Sequence, residues 1–170
     1  GSHPIAGSEK HGPSAAMIDL FEGKNIIVTP PAEAPDLISE RINIFWSTMG
    51  GRITLMAPKE HDEIFSTVSH LPHILAFSLV NLINDNKKKE ILLNLAASGF
   101  RDFSRIAASS PEVWRDISIA NKDAILNDLR LYQSELIKII GLIDNQDQEG
   151  LKNYFTNASS TRQNWVAKKN

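Results

Sequence analysis

From Pro58 onward every strong periodic signal in this chain is helical, and the strand-like runs all lie before that proline. Any sheet is thereby confined to the first third, and the remaining two thirds are committed to helices. Within the first third, Lys24-Asn25-Ile26-Ile27-Val28-Thr29 is a short β-branched run closed by Pro30-Pro31, which predicts a buried strand. Pro35 opens a helix whose apolar positions Leu37, Ile38, Ile42, Phe45, Trp46 and Met49 keep helical spacing until Gly50-Gly51 stops it. Arg52 to Met56 follows as a second strand ending at Pro58. Strand, helix, strand with short connections is a βαβ unit, which calls for a parallel pair and a right-handed crossover. Two strands make a poor sheet, so the unit reads as the tail of a larger one.

The helical part begins with Glu60 to Asp85, where Ile64, Val68, Leu71, Leu75, Leu79 and Leu82 form the apolar positions. Pro72 interrupts it; lacking an N–H, it must kink or break the helix near Val68. The freed Val68 carbonyl is best tolerated where water or a ligand bonds to it, or the kink simply wraps the helix around the core. Lys87-Lys88-Lys89 reads as a solvated loop or a helix start. Ser110-Pro111-Glu112 is an N-cap with proline at the first helical position, opening a helix through Trp114 and Ile117. Between Asn121 and Asp144, Ile125, Leu129, Tyr132, Leu136, Ile139 and Ile143 step by four and three, and Leu126, Ile137, Ile140 and Leu142 widen the stripe. A helix apolar over so much of its circumference needs burial on more than one side, which predicts a homodimer through the helices. A last helix is expected from about Glu149 to Val166.

Composition narrows the function classes. The 170 residues are 42% hydrophobic, enough for one ordinary domain or a small domain with an appendage. A net charge of −2 gives no electrostatic case for nucleic acid or an anionic membrane. The absence of cysteine removes disulfides, thiolate chemistry and Cys-built zinc sites. No apolar run approaches the roughly 20 residues of a spanning helix, no signal sequence leads the chain, and Gly1-Ser2 reads as a tag scar. A soluble cytoplasmic protein is expected.

The candidate chemistry is concentrated near the start. His3-Pro4-Ile5-Ala6-Gly7-Ser8-Glu9-Lys10 puts a titratable base, a hydroxyl and a carboxylate on one short stretch. All five histidines, His3, His11, His61, His70 and His73, fall in the first 73 residues. His70 and His73 share a helix face, a spacing that also suits metal ligation, but no third ligand stands at a recognised offset. Glu60-His61-Asp62-Glu63 reads as a charged first helical turn. Arg101 and Arg105, four apart on a short helix after Gly99, either clamp a carboxylate or form a surface ion-pair cluster. Trp46, Trp114 and Trp165 fit core positions more often than ligand platforms, and sequence does not distinguish the two.

Taken in order and spacing, these segments resemble one family. They are His3 to Lys10, Leu20-Phe21-Glu22-Gly23-Lys24, Val28-Thr29-Pro30, His61-Asp62, Val68-Ser69-His70-Leu71-Pro72-His73, Gly99 to Ala107 and Trp114-Arg115-Asp116-Ile117. Together they are similar to the prephenate/arogenate (cyclohexadienyl) dehydrogenases of tyrosine biosynthesis. The resemblance implies a mainly α chain: a helical dimerisation and substrate-binding domain, residues 59–170, preceded by a small βαβ remnant of a Rossmann-like sheet, residues 1–58. It implies that His3 is the catalytic base on the substrate's ring hydroxyl and that Arg105 binds a substrate carboxylate. Ser69 and His73 would line the substrate pocket with Trp114, and Ser8, Glu9 and Arg101 would lie toward the substrate side chain.

The chemistry suits those residue types. Oxidising the ring hydroxyl of prephenate by hydride loss needs a base for its proton, and the ring carboxylate then leaves as carbon dioxide. Histidine fits the first task, and the permanently charged arginine fork fits the carboxylates. The cofactor implied is NAD or NADP, which a Gly-rich βα turn would cradle. No G-x-G-x-x-G occurs here, so the cofactor is expected to be bound mainly by an N-terminal domain that is missing from this sequence. The chain is then the C-terminal part of the enzyme, inactive alone. The other reading is a non-catalytic helical module for dimerisation and ligand binding.

Overall fold

A computed structural model of the chain describes residues 1–6 and 16–167. Two compact units are present, residues 1–125 and 126–170.

The first unit opens with three strands, β1 (Ser2–Pro4), β2 (Asn25–Val28) and β3 (Arg52–Leu55), in the order β1-β2-β3. The expected parallel pair is β2 with β3, in register Asn25 to Arg52 through Val28 to Leu55. The expectation of only two strands needs correction. Ser2 belongs to the sheet: β1 pairs antiparallel with β2, His3 opposite Ile27, and just before it the Gly1 carbonyl accepts from the Thr29 amide at 2.9 Å. The central strand β2 buries Ile26, Ile27 and Val28 in succession, as a strand covered on both faces must.

Helix α1 (Asp36–Thr48) makes the crossover between β2 and β3. Two glycines turn the chain after it for different reasons. Gly50 has φ +76°, left-handed backbone that favours glycine. At Gly51 a Cβ would stand 2.6 Å from Ile26 Cγ1, so the close approach to β2 excludes a side chain. The apolar pattern of α1 predicts a covered face, but Leu37, Ile38 and Phe45 are exposed, while Ile42 and Met49 are half-buried and Trp46 meets Phe21 edge-on at 5.2 Å.

Helix α2 (Pro58–Phe65) runs through a π-helical segment, Ser66–His70, into α3 (Leu71–Asn84). The break expected near Val68 therefore takes the form of a widened turn, with the Leu71 amide reaching back to the Ser66 carbonyl. A wider turn accommodates a proline without ending the helix. Contrary to the expectation that no apolar run approaches a spanning length, the continuous run Pro58–Asn84 is long and apolar enough to cross a membrane by length and composition alone, which is weak evidence because core helices of soluble proteins pass the same test.

Helices α4 (Lys89–Asn94) and α5 (Ser98–Ser104) follow, then a 3₁₀ turn, Arg105–Ala108, and α3 packs against both α5 and that turn. Helix α6 (Pro111–Ala120) is capped as its sequence predicts, the Val113 amide donating to Ser110 Oγ at 3.4 Å. Helix α7 (Lys122–Asp144) begins in the first unit, where Ile125 is buried.

The second unit holds the rest of α7 and helix α8 (Gln148–Ala167). Gln146 at φ 51° turns the chain between them, and the Asp147 carboxylate accepts from the Gly150 amide at 2.9 Å. Within this unit Leu131, Ile137, Ile140, Ile143 and Phe155 are each more than half exposed.

Candidate active site

Three segments of the first unit build the site: β1 supplies His3, the α2–π–α3 run supplies His61, Phe65, Ser69, His70 and His73, and α6 with its C-terminal cap supplies Trp114 and Asn121. His61 and Phe65 stand one helical turn apart, so both reach the same neighbour. That neighbour is His3. Its ring centroid lies 4.7 Å from Phe65 and 5.1 Å from His61, and Phe65 and His61 are 4.6 Å from each other. His3 Nδ1 is 2.9 Å from His61 Nε2, and His61 Nδ1 is 2.9 Å from Asp62 Oδ1.

Beyond the π segment, His73 is held twice. Its Nδ1 donates to the Ser69 carbonyl at 2.9 Å, one turn back, and its ring stacks on Trp114 at 3.9 Å with a 20° interplanar angle. His70 meets Trp114 edge-on at 6.1 Å, and its Nδ1 is 3.2 Å from Asn121 Nδ2. The same Asn121 nitrogen donates to the Asp62 carbonyl at 2.7 Å, tying the end of α6 to α2.

The electrostatics follow from this crowding. Lost hydration, and then the neighbouring His61, lower the His3 pKa below the ordinary histidine value. Lost hydration also lowers His70, reinforced by the like charges that His3, His61 and His73 would carry, with Asp62 alone opposing. Four histidines thus share one electrostatic neighbourhood, and within it His3 and His70 are biased toward their neutral, proton-accepting forms. Among the described residues no group of three His, Asp or Glu side chains is disposed to hold a metal ion.

The structure brings His3, Ser69, His73 and Trp114 into this first unit's site region. Arg101 lies in the last turn of α5, and Arg105 opens the 3₁₀ turn that packs on α3, the helix carrying His73; both are exposed. Ser8 and Glu9 lie outside the described residues. His61, His70, Asp62 and Asn121 were not among the site residues expected from sequence. The His61-Asp62 pair was visible as a motif but reads as a charged first turn. Asn121, 51 residues from His70, leaves no local signal at all.

The β2–α1 turn runs Thr29-Pro30-Pro31, and its two prolines offer no amide N–H to a pyrophosphate.

Comparison with known proteins places this geometry. The family model described as "Prephenate dehydrogenase, dimerization domain" matches residues 57–157, and "Prephenate dehydrogenase, nucleotide-binding domain" matches residues 1–55. The chain is 36% identical over 163 residues to a cyclohexadienyl dehydrogenase of Zymomonas mobilis, covering 95% of this chain and 56% of that protein. It is 39% identical over 163 residues to a prephenate dehydrogenase of Bacillus subtilis, covering 95% and 44% respectively. It superposes with a TM-score of 0.90 on the crystal structure of prephenate dehydrogenase from A. aeolicus in complex with hydroxyphenyl propionate and NAD+, at 35% identity, covering 96% of this chain and 57% of that one. The chain spans about half the length of these relatives.

Proposed function

Because the chain belongs to the prephenate dehydrogenase family, we propose that it is the substrate-binding and dimerising part of an enzyme that oxidatively decarboxylates prephenate, or oxidises arogenate, with NAD or NADP. The observation that carries this reading is the meeting of His3, from β1, with His61 and Phe65 of α2, on the same helical run whose His73 stacks on Trp114. A proton-accepting imidazole thus stands against a helical run that carries aromatic surfaces suited to a six-membered ring. In the proposed roles, His3 takes the proton of the ring hydroxyl, and Arg105 pairs a substrate carboxylate. Ser69, His73 and Trp114 line the ring pocket; Arg101, Ser8 and Glu9 face the side chain. Hydride acceptance belongs to the nicotinamide, held chiefly by sequence outside these 170 residues. We assign residues 1–58 to the nucleotide-binding domain's C-terminal end and 59–170 to the helical domain. The whole protein is read as a soluble, cytoplasmic homodimer that acts on small molecules, not on nucleic acid or membrane.

Arg105 tests the substrate assignment without involving the cofactor. A dianionic ligand entering a partly apolar site needs its charge paired, and truncating one partner of a desolvated pair costs about 2–5 kcal/mol. Lysine keeps the charge but not the fork. In calorimetric titration of the whole enzyme with prephenate or a carboxylate analogue, affinity is expected to fall in the order wild type, Arg105→Lys, Arg105→Ala. Wild-type affinity in Arg105→Ala would remove the assignment of the Gly99–Arg105 segment.

A further inference from the structure

Hydrogen bonding leaves little freedom to the imidazoles around Asp62. A carboxylate only accepts, so the 2.9 Å contact of Asp62 Oδ1 requires the proton of neutral His61 to sit on Nδ1. His61 Nε2 is then an acceptor, and its partner at 2.9 Å, His3 Nδ1, must be the donor. The unprotonated nitrogen of His3 is therefore Nε2. The second chain of reasoning starts at the Asp62 backbone. Its carbonyl also only accepts, which fixes the Asn121 carboxamide with Nδ2 toward it at 2.7 Å. That nitrogen also faces His70 Nδ1 at 3.2 Å, so His70 Nδ1 accepts and the proton of His70 sits on Nε2.

We propose that Asp62 is a positioning residue for the site: its carboxylate through His61, and its carbonyl through Asn121, fix His3 with an unprotonated Nε2 and His70 as a neutral Nε2–H donor. Both halves serve one end. A base needs its lone pair on the atom that meets the substrate, and a neutral His70 spares that base a second positive charge nearby. The consequence for turnover rests on the base role proposed for His3; the tautomers themselves do not. His73 is the remaining imidazole in the cluster, and its Nδ1–H is already committed to the Ser69 carbonyl. Asp62 is half exposed, so its influence is directional more than energetic.

Long-range proton–nitrogen correlation on the chain labelled with ¹⁵N-histidine, at pH 7.5, reads each ring nitrogen as protonated or bare. His3 and His61 are expected as Nδ1–H tautomers and His70 as the Nε2–H tautomer. Asp62→Asn can turn an NH₂ toward His61 Nδ1, so both His61 and His3 should switch to Nε2–H, as happens when the orienting aspartate of a Ser-His-Asp triad becomes asparagine. Asn121→Leu should return His70 to a tautomer mixture and leave His3 unchanged. Wild-type His3 in the Nε2–H form, or an unchanged His3 in folded Asp62→Asn, would overturn the proposal; the wild-type spectrum decides alone if a variant does not fold. In the whole enzyme Asp62→Asn should lower kcat with KM nearly unchanged. A switched tautomer with undiminished kcat would confirm the lock and count instead against His3 as the base.

Discussion

His3 and His70 bind protons less readily in the folded chain than a free histidine does, through lost hydration reinforced by neighbouring imidazoles. Between those lowered values and the ordinary 6.5, the unfolded chain holds more protons than the native one. Stability therefore rises with pH across that interval and is lost on acidification through it. The expected outcome is a Tm that falls as pH drops from 7 toward 5, with a shallower fall in His70→Asn. A variant slope as steep as the wild type would mean that His70 carries none of the effect. For His3, His73 and Trp114 local pattern alone left a structural role open, and only the order and spacing of whole segments, taken as a family resemblance, singled them out. The parts proposed for Asp62 and Asn121 were not legible, because the His61–His3 and Asn121–Asp62 contacts form only after distant elements meet.

At the scale of elements, local signals located most of the structure and missed what depends on partners. The β2 run, the Ser110 cap and the Pro72 disruption each have a local physical cause, and each is found where that cause acts. That the disruption is a π turn rather than a break depends on the packing of α3, which one sequence window does not contain. Strand β1 is three residues long and includes a proline, too short for a periodic signal; only pairing with β2 makes it a strand. The exposed apolar face of α1 shows the same limit from the other side, since periodicity reports that a face wants cover and not what covers it. The turn from α1 into β3 gives a sharp test. A methyl at Gly51 must displace Ile26 Cγ1 and crowds the Trp46 carbonyl at 3.1 Å, and both belong to the packed crossover. Gly51→Ala is expected to cost about 1–3 kcal/mol in urea denaturation, the usual range for overpacking a core. An unchanged unfolding midpoint would mean the sheet gives way at that corner.

For the whole molecule the main question is what covers the helices. The apolar residues exposed on α7 and α8 of the second unit extend over Leu131, Ile137, Ile140, Ile143 and Phe155, more than a solitary helical hairpin keeps in water. A twofold partner supplies identical surface to identical surface, the commonest closed arrangement. Sedimentation equilibrium at micromolar concentration is expected to give twice the 18.9 kDa chain mass. A folded species at the single-chain mass would contradict dimerisation through these helices.

The central claim is that His3, carried by a three-residue strand onto helix α2, is the base of the reaction. Its most direct test is steady-state turnover of prephenate by the whole enzyme with His3→Asn, which keeps a polar side chain of similar reach and removes the titratable nitrogen. Positioned proton transfer is typically worth about 10²–10⁴ in rate. The expected result is a loss of kcat in that range with KM changed only a few-fold. A kcat within a few-fold of wild type would show that the proton leaves by another route, and His3 would be a packing residue against Phe65.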